Sequence, residues 1–439
     1  MDSPISRPAT SQSDTRSTSS TDKYQHEPFE TFKEKILALS TGIRASSIDD
    51  LRRMQGGSYN RVVLAHVNWK PGALTPPNVN EVIFRMPRQP DEEDVSEAVQ
   101  SQVAVMKFVR QHGIPVAEVI EFDATVDNAI CSPYTVLSYV DAPRLDQVYD
   151  DMSLNEKLHF VTQYKHILAQ LEEVQFPRAG SLHCTEEAVH VVHWCWANSS
   201  GPYHVEADAE SCSVHLSRRR ASDGSDVGKS ALSLIEAQLA ERQAQLDDDI
   251  ETGQHVEYKK EYFDRLQRIC VQMRQDKRYS RAWQEDVSVL HHWDLEPRNI
   301  LVQHEDEGTR SRWKIKAVLD WDDALAVPTI LTRKPAIWRW DRSCLHSSLT
   351  PPDKFFDWDA DTLQPDHYSG LTGEPQIVKQ RFEALYRNQV ISINGKWDIE
   401  EYVDVAYQTG RWLRNLERFT MCTFSEKSEV DLLDRMELE

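Results

Sequence analysis

Three residues in one short stretch have the types and spacing to act together chemically. In VSVLHHWDLEPRNILVQ, His292, Asp294 and Asn299 form the pattern H-x-D-x-x-x-x-N, and an apolar run with strand character starts at the asparagine. The loop EDEGTRS then turns the chain, and the partner run WKIKAVLDW ends in Asp320. A hairpin of these two runs predicts that Asn299 and Asp320 meet at one mouth. Two oxygen ligands there suit a hard octahedral cation such as magnesium, which keeps waters and completes its shell with phosphate oxygens. Asp294 lies on a proline-containing loop five residues before Asn299, and would face the same space as an acceptor hydroxyl. Phosphoryl transfer needs that geometry: an in-line nucleophile, metal-neutralised phosphates and little covalent chemistry. His292 reads as a residue that orients the loop. Each residue alone has a plainer reading, Asp294 as a turn former and Asp320, Asp322 and Asp323 as a solvated acidic cluster. Their conjunction on one hairpin outweighs those readings.

The segment HWDLEPRN fits every fixed position of the loop H-x-D-L-x-P-x-N. On that motif the chain, from about residue 50 to 345, resembles the aminoglycoside phosphotransferase and choline kinase-like family, in its fungal branch of unassigned substrates. LDWDDA resembles that family's metal-binding aspartate segment. The resemblance implies a bilobal protein kinase-like fold and a kinase using ATP and magnesium on an alcohol acceptor. It implies Asp294 as catalytic base, Asn299 and Asp320 as metal ligands, and Asp322 as a ligand of a second metal. GGSYN, with Gly56, Gly57 and Ser58, looks like the phosphate loop. The run Leu137 to Val140, with Ser138 and Val140, looks like the hinge whose backbone holds adenine.

Two positions depart from the kinase pattern. Arg85 in EVIFRMP stands where such enzymes carry a phosphate-holding lysine; arginine binds phosphate as a fork instead of a point charge. Gln102 stands where the helix glutamate that orients this cation belongs. A nucleotide-binding pseudokinase or interaction module is therefore a second expectation. A protein kinase fits less well, because Trp293 fills the place of the usual arginine and no A-P-E segment follows LDWDDALAVPT.

The elements that must position these groups follow from periodicity. Residues 1–26 are a Ser/Thr-rich tail without enough apolar area to offset ordering entropy. Residues 27–137 read as an N-terminal lobe. It holds a helix from Phe32 to Leu39, strands at RVVLAHVNW, EVIFRMP, VAEVIEFDA and in the run PYTVLSYVDAP, and a helix from Ser96 to His112 closed by Gly113. Residues 138–425 read as a mainly helical second lobe. Its first helix, Leu154 to Val174, is expected to bury Leu158, Val161, Ile167, Leu168 and Leu171. Further helices are expected at Ala231 to Leu246, Tyr258 to Met273 and Ile399 to Phe419, and an exposed irregular insertion at about 199–230. Residues 426–439 read as an acidic tail. The fold class is thus α+β. Two lesser candidates are the His183, Cys184, His190, His193 and Cys195 cluster as a zinc site, against which the absence of paired ligand spacing argues, and Trp338 and Trp340 as a stacking platform, for which core packing is the stronger reading.

The net charge of −21 argues against a nucleic-acid backbone as partner, since that interaction needs a basic surface. A small cationic substrate suits such a field. No run approaches the length of a membrane span. Seven scattered cysteines without C-x-x-C spacing fit a reducing, cytoplasmic setting. Oligomeric state is not readable from the sequence.

Overall fold

A computed structural model describes residues 28–43, 45–54, 60–71, 79–88, 95–173, 175–176, 179–184, 189–193, 203–207, 214–216, 230–251, 257–276, 287–307, 310–322, 324–333, 372–393 and 410–421. The chain groups into two units, one of residues 1–99 and 118–139, the other of residues 100–117 and 140–439.

The first unit is a five-stranded antiparallel sheet with a helix, α1 (Phe29–Ala38), on it. Its strands are β1 (Ala45–Arg53), β2 (Asn60–Trp69), β3 (Glu81–Pro87), β4 (Val119–Asp123) and β5 (Tyr134–Ser138), in the order β1-β2-β3-β5-β4. Two-residue periodicity explains which face is dry. Val82, Phe84 and Met86 of β3 are fully buried, beside Val63, Ala65 and Val67 of β2, and Phe32 and Ile36 of α1 close the same core. Arg85 falls on the other face by the same alternation and pairs in register with Val62 and Thr135.

Helix α2 (Val95–Gln111) begins in the first unit and continues into the second. It ends where Gly113 takes φ +77°, so that the Ile114 N–H reaches the Val109 carbonyl at 3.0 Å and the Gly113 N–H that of Arg110 at 3.0 Å. A side chain at Gly113 would be strained in φ and would crowd Gln170 Nε2 at 3.2 Å.

The second unit has the helices α3 (Leu145–Val148), α4 (Leu154–Glu173), α5 (Ala231–Glu251), α6 (Glu257–Gln275), α7 (Glu374–Ile393) and α8 (Gly410–Met421) among the described residues. Ile235, Leu239, Leu266, Ile269, Leu416 and Phe419 form the core of α5, α6 and α8. Three small sheets accompany them: β6 (Gln175–Phe176) and β14 (Leu325–Pro328) flank β11 (Ser288–His291); β12 (Ile300–Glu307) pairs with β13 (Arg310–Val318); and β7 (Ser181–Cys184), β8 (Val189–His193), β9 (Tyr203–Ala207) and β10 (Val214–Leu216) follow one another. The α+β class is as expected from the sequence.

Several sequence expectations need correction. The segment 199–230 is not wholly irregular, because β9 and β10 lie in it and pair antiparallel. On α4, Leu158 and Leu168 are only half-buried, while Lys157, Lys165 and Glu172 are buried with Phe160, Val161, Tyr164, Ile167 and Leu171. Lys157 reaches Glu374 at 2.6 Å, Lys165 Nζ lies 4.5 Å from the Tyr386 ring centre, and Glu172 pairs with Arg333. Helix α7, which supplies two of those partners, was not foreseen, although Val378, Phe382 and Tyr386 bury one stripe at four-residue spacing. Residues 399–409 of the last expected helix, and Trp338 and Trp340, lie outside the described residues.

Candidate active site

The site grows out of β11. Val289 and Leu290 are buried, which fixes the strand and delivers His292 to the start of a short loop. The Asp294 N–H donates to His292 Nδ1 at 3.2 Å, so Nδ1 is the acceptor and Nε2 carries the hydrogen. Nε2 in turn donates to the Leu319 carbonyl at 2.9 Å. Burial pushes the His292 pKa down, against the Leu319 carbonyl and the Asp294 charge, which raise it. His292 is thus a neutral latch that ties the loop to the end of β13.

Beyond Asp294 the chain makes a tight turn. Glu296 N–H donates to the Asp294 carbonyl at 2.8 Å, and Asn299 N–H to the Glu296 carbonyl at 2.9 Å, with Pro297 at the first position of a 3₁₀ turn. Leu295 is buried, and the Tyr164 hydroxyl donates to its carbonyl at 3.4 Å. Asn299 Nδ2 donates to the Asp294 carbonyl at 2.9 Å and to Asp294 Oδ2 at 2.8 Å. Both amide hydrogens are therefore used on Asp294, and Oδ1 is the acceptor end of the carboxamide.

The ribbon closes the arrangement. Ile300 pairs with Val318, and the Leu319 N–H donates to the Asn299 carbonyl at 2.8 Å, so Asn299 and Asp320 stand at the same mouth of the β12–β13 pair. Asp320 has φ +64°, a left-handed conformation that aspartate tolerates better than bulkier residues. Its neighbour explains how it is held: Trp321 is buried, donates Nε1–H to the Val318 carbonyl at 2.9 Å, and meets the His292 ring edge-on at 4.6 Å. With Trp321 inside and Leu319 latched, Asp320 is left exposed. Asp322 is half-buried and close enough to act on His292.

The structure therefore brings His292, Asp294, Asn299, Asp320 and Asp322 together in one unit. Arg85 and Ser138 lie on the sheet of the other unit, on β3 and β5. Gln102, buried, lies on α2, and Val140 follows β5. Gly56, Gly57 and Ser58 lie outside the described residues. Arg298 was missed at the sequence level. It donates through Nη2 to Asp294 Oδ1 and through Nη1 to Glu296 Oε2. Burial lowers its pKa, but Glu296, Asp294 and Asp320 outweigh that and hold it above the ordinary arginine value. A basic residue four positions after an acid on a turning loop was the available signal. In the histidine-rich hairpin, His183 stands opposite His190 in register; Cys195 is outside the described residues. Among the described residues no group of three or more His, Cys, Asp or Glu could hold a metal, and no helix is long and apolar enough to cross a membrane.

A family model described as "Phosphotransferase enzyme family" matches residues 50–329. Solved structures similar to this chain include the streptomycin–ATP ternary complex of APH(2″)-IIa, at 10% identity over 90% of this chain and 92% of that one, TM-score 0.44. They include the GDP complex of an aminoglycoside 2′-phosphotransferase-IIIa mutant, at 12% identity over 92% and 97%, TM-score 0.42. Choline kinase from Cryptosporidium parvum Iowa II follows at 10% identity over 89% and 88%, TM-score 0.40. A search of curated proteins gave no match.

Proposed function

The chain belongs to the phosphotransferase enzyme family, and on that premise we propose that it transfers the γ-phosphoryl group of ATP to a hydroxyl of a small molecule. The observation that carries this reading is the convergence of Asp294, Asn299 and Asp320 at one mouth of the ribbon, with the Asn299 amide fastened to Asp294. Asp294 receives the acceptor's proton as its oxygen bonds to phosphorus, the bond from phosphorus to the bridging oxygen breaks, and ADP leaves. His292 does not exchange protons in this scheme; it keeps the loop in register with Leu319.

The donor set fits magnesium. Asp320 and Asp322 offer carboxylates and Asn299 a carboxamide oxygen, all hard donors, and magnesium needs only one or two carboxylates when phosphates complete its shell. Asn299, Asp320 and Asp322 would hold it, and it would neutralise charge on the phosphates during transfer. Arg85, Gly56, Gly57 and Ser58 are the proposed phosphate-binding residues, Gln102 stands at the place of the kinase glutamate, and the Ser138–Val140 backbone is the proposed adenine contact. The net charge of −21 favours an amine-bearing acceptor. A cytoplasmic setting is proposed with it, from the cysteine pattern.

A second reading, nucleotide binding without turnover, is favoured by Arg85 and Gln102 at the lysine and glutamate places. Magnesium-dependent hydrolysis of ATP separates the two. Turnover in the wild type that is lost in Asp294→Ala and Asp320→Ala supports the enzyme; nucleotide binding with no turnover supports the module. Amine-bearing and neutral alcohols tried in turn would then define the acceptor, and phosphorylation of neutral alcohols alone would remove the amine preference.

A further inference from the structure

We infer that Arg298 is the positioning residue for Asp294, holding its carboxylate in the orientation that receives the acceptor's proton; this rests on the phosphotransfer reading above. The carboxylate is gripped on both oxygens. Asn299 Nδ2 donates to Oδ2 at 2.8 Å, and Arg298 Nη2 donates to Oδ1. With one donor alone, a carboxylate torsion is broad and roughly two-fold. A second donor on the other oxygen removes that freedom. The other arm of the fork, Nη1, donates to Glu296 Oε2, so the guanidinium spans two acids of the same turn. Asp320 also acts on the Arg298 charge, so one cation lies among the base, Glu296 and the carboxylate assigned to the metal.

A purely structural role is a poor explanation of this pair. The Arg298 side chain is 53% exposed and that of Asp294 36%. Exposed ion pairs contribute at most about 1 kcal/mol. In the motif H-x-D-L-x-P-x-N, moreover, the place before the asparagine is open, so the motif assigns Arg298 no role. Misplacing a reacting group by about 1 Å costs on the order of 10²-fold in rate, which sets the size of the expected effect.

The test uses the full chain with MgATP hydrolysis read as kcat and KM, and nucleotide Kd read by displacement of a fluorescent ATP analogue. Arg298→Ala should lower kcat about 10- to 100-fold, with KM and Kd within about twofold and the melting temperature unchanged. Arg298→Lys should recover only part of the rate, because an ammonium is a point charge and not a fork. Added methylguanidinium should rescue Arg298→Ala and leave Asp294→Ala inactive. An unchanged kcat in Arg298→Ala, with turnover lost in Asp294→Ala and Asp320→Ala, overturns the inference and leaves the phosphotransfer reading standing. A loss of nucleotide affinity that matches the loss of rate overturns it as well, since Arg298 would then be a nucleotide ligand. No turnover by the wild type, or full turnover in Asp320→Ala, overturns both.

Discussion

The loop from His292 to Asn299 with its ribbon and the helical body of the same unit both bring polar and charged side chains together, but on different scales of sequence and burial. In the loop, Asp294 bonds to Arg298 and Asn299, four and five residues on, and His292 to the Leu319 carbonyl, 27 residues on. In the helical body, Glu172 meets Arg333 across 161 residues, Lys157 meets Glu374 across 217, and Thr420 meets Gln238 across 182. The Asp294–Arg298 pair is about half in water, whereas the side chains of Arg333 and Glu172 are 1% and 8% exposed. A charge left accessible can meet a ligand directly, and a charge sealed like Glu172 with Arg333 meets only protein. The two regions should therefore respond oppositely to substitution: rate without stability in one, stability without rate in the other.

The sharpest way to break that division is at Asp320. Asp320→Gly should lower MgATP turnover by on the order of 10³-fold, since the carboxylate proposed to hold magnesium would serve to stabilise charge in the transition state. Stability should hold within about 1 kcal/mol, because glycine accepts the left-handed φ of +64° without strain. Loss of cooperative unfolding in this variant would mean that the carboxylate serves the fold. In the other region, Arg333→Met removes the cation paired with the buried Glu172, and should lower unfolding stability by about 3–5 kcal/mol in urea titrations. The double variant Arg333→Met with Glu172→Met should recover most of that loss, and nucleotide Kd should not move in either.

The pH dependence divides the regions again. Burial raises the Glu417 pKa to about 8, against the hydrogen bond from Gln238, while an exposed glutamate titrates near 4.5. Its folded value lies above its unfolded value, so its contribution is complete below the unfolded pKa and is lost as pH rises towards 8. His292 has the opposite sign: its folded pKa is depressed, so its contribution is complete above 6.5 and is lost as pH falls. In Glu417→Gln the decline in melting temperature between pH 6.5 and 8 should flatten; an unaltered decline would place its origin elsewhere. The smallest effect is expected at Glu374→Gln. It removes the partner of Lys157 from a site where Glu374 is 43% exposed, and should cost about 1 kcal/mol or less. A larger loss would show that the pair behaves as a buried one, like Glu172 with Arg333.

The same contrast explains what could be read in advance. Strands β2 to β5 of the first unit were legible from runs such as β3, where Val82, Phe84 and Met86 alternate with residues of the other face, and the end of α2 because Gly113 supplies its closing φ, whereas β1, in which Asp49, Asp50, Arg52 and Arg53 break the alternation, was given no range. That Asn299 and Asp320 fall at the same end of the β12–β13 pair was legible because a short turn brings the two runs side by side; the bulge between Leu301 and Val302, which shifts the register by one residue there, was not. The buried face of α4 was not, because Lys157, Lys165 and Glu172 look like solvent residues until Glu374, Tyr386 and Arg333 arrive from elsewhere in the chain. Nor was β11 singled out as a strand, since its pairing with β14 and β6 involves segments of only four and two residues.

The sequence by itself therefore determined the local spacing of His292, Asp294, Asn299 and Asp320, four strands of the first unit and the α+β class. Periodicity and short turns act over a few residues, so they need no knowledge of the rest of the chain. Only the tertiary structure decided which charges lie inside the helical body, that Asp320 sits in a left-handed turn beside the buried Trp321, and that Arg298 takes the second oxygen of Asp294. Each of these depends on which groups share a volume after folding, and burial and electrostatic pairing act through space, without regard to separation along the chain.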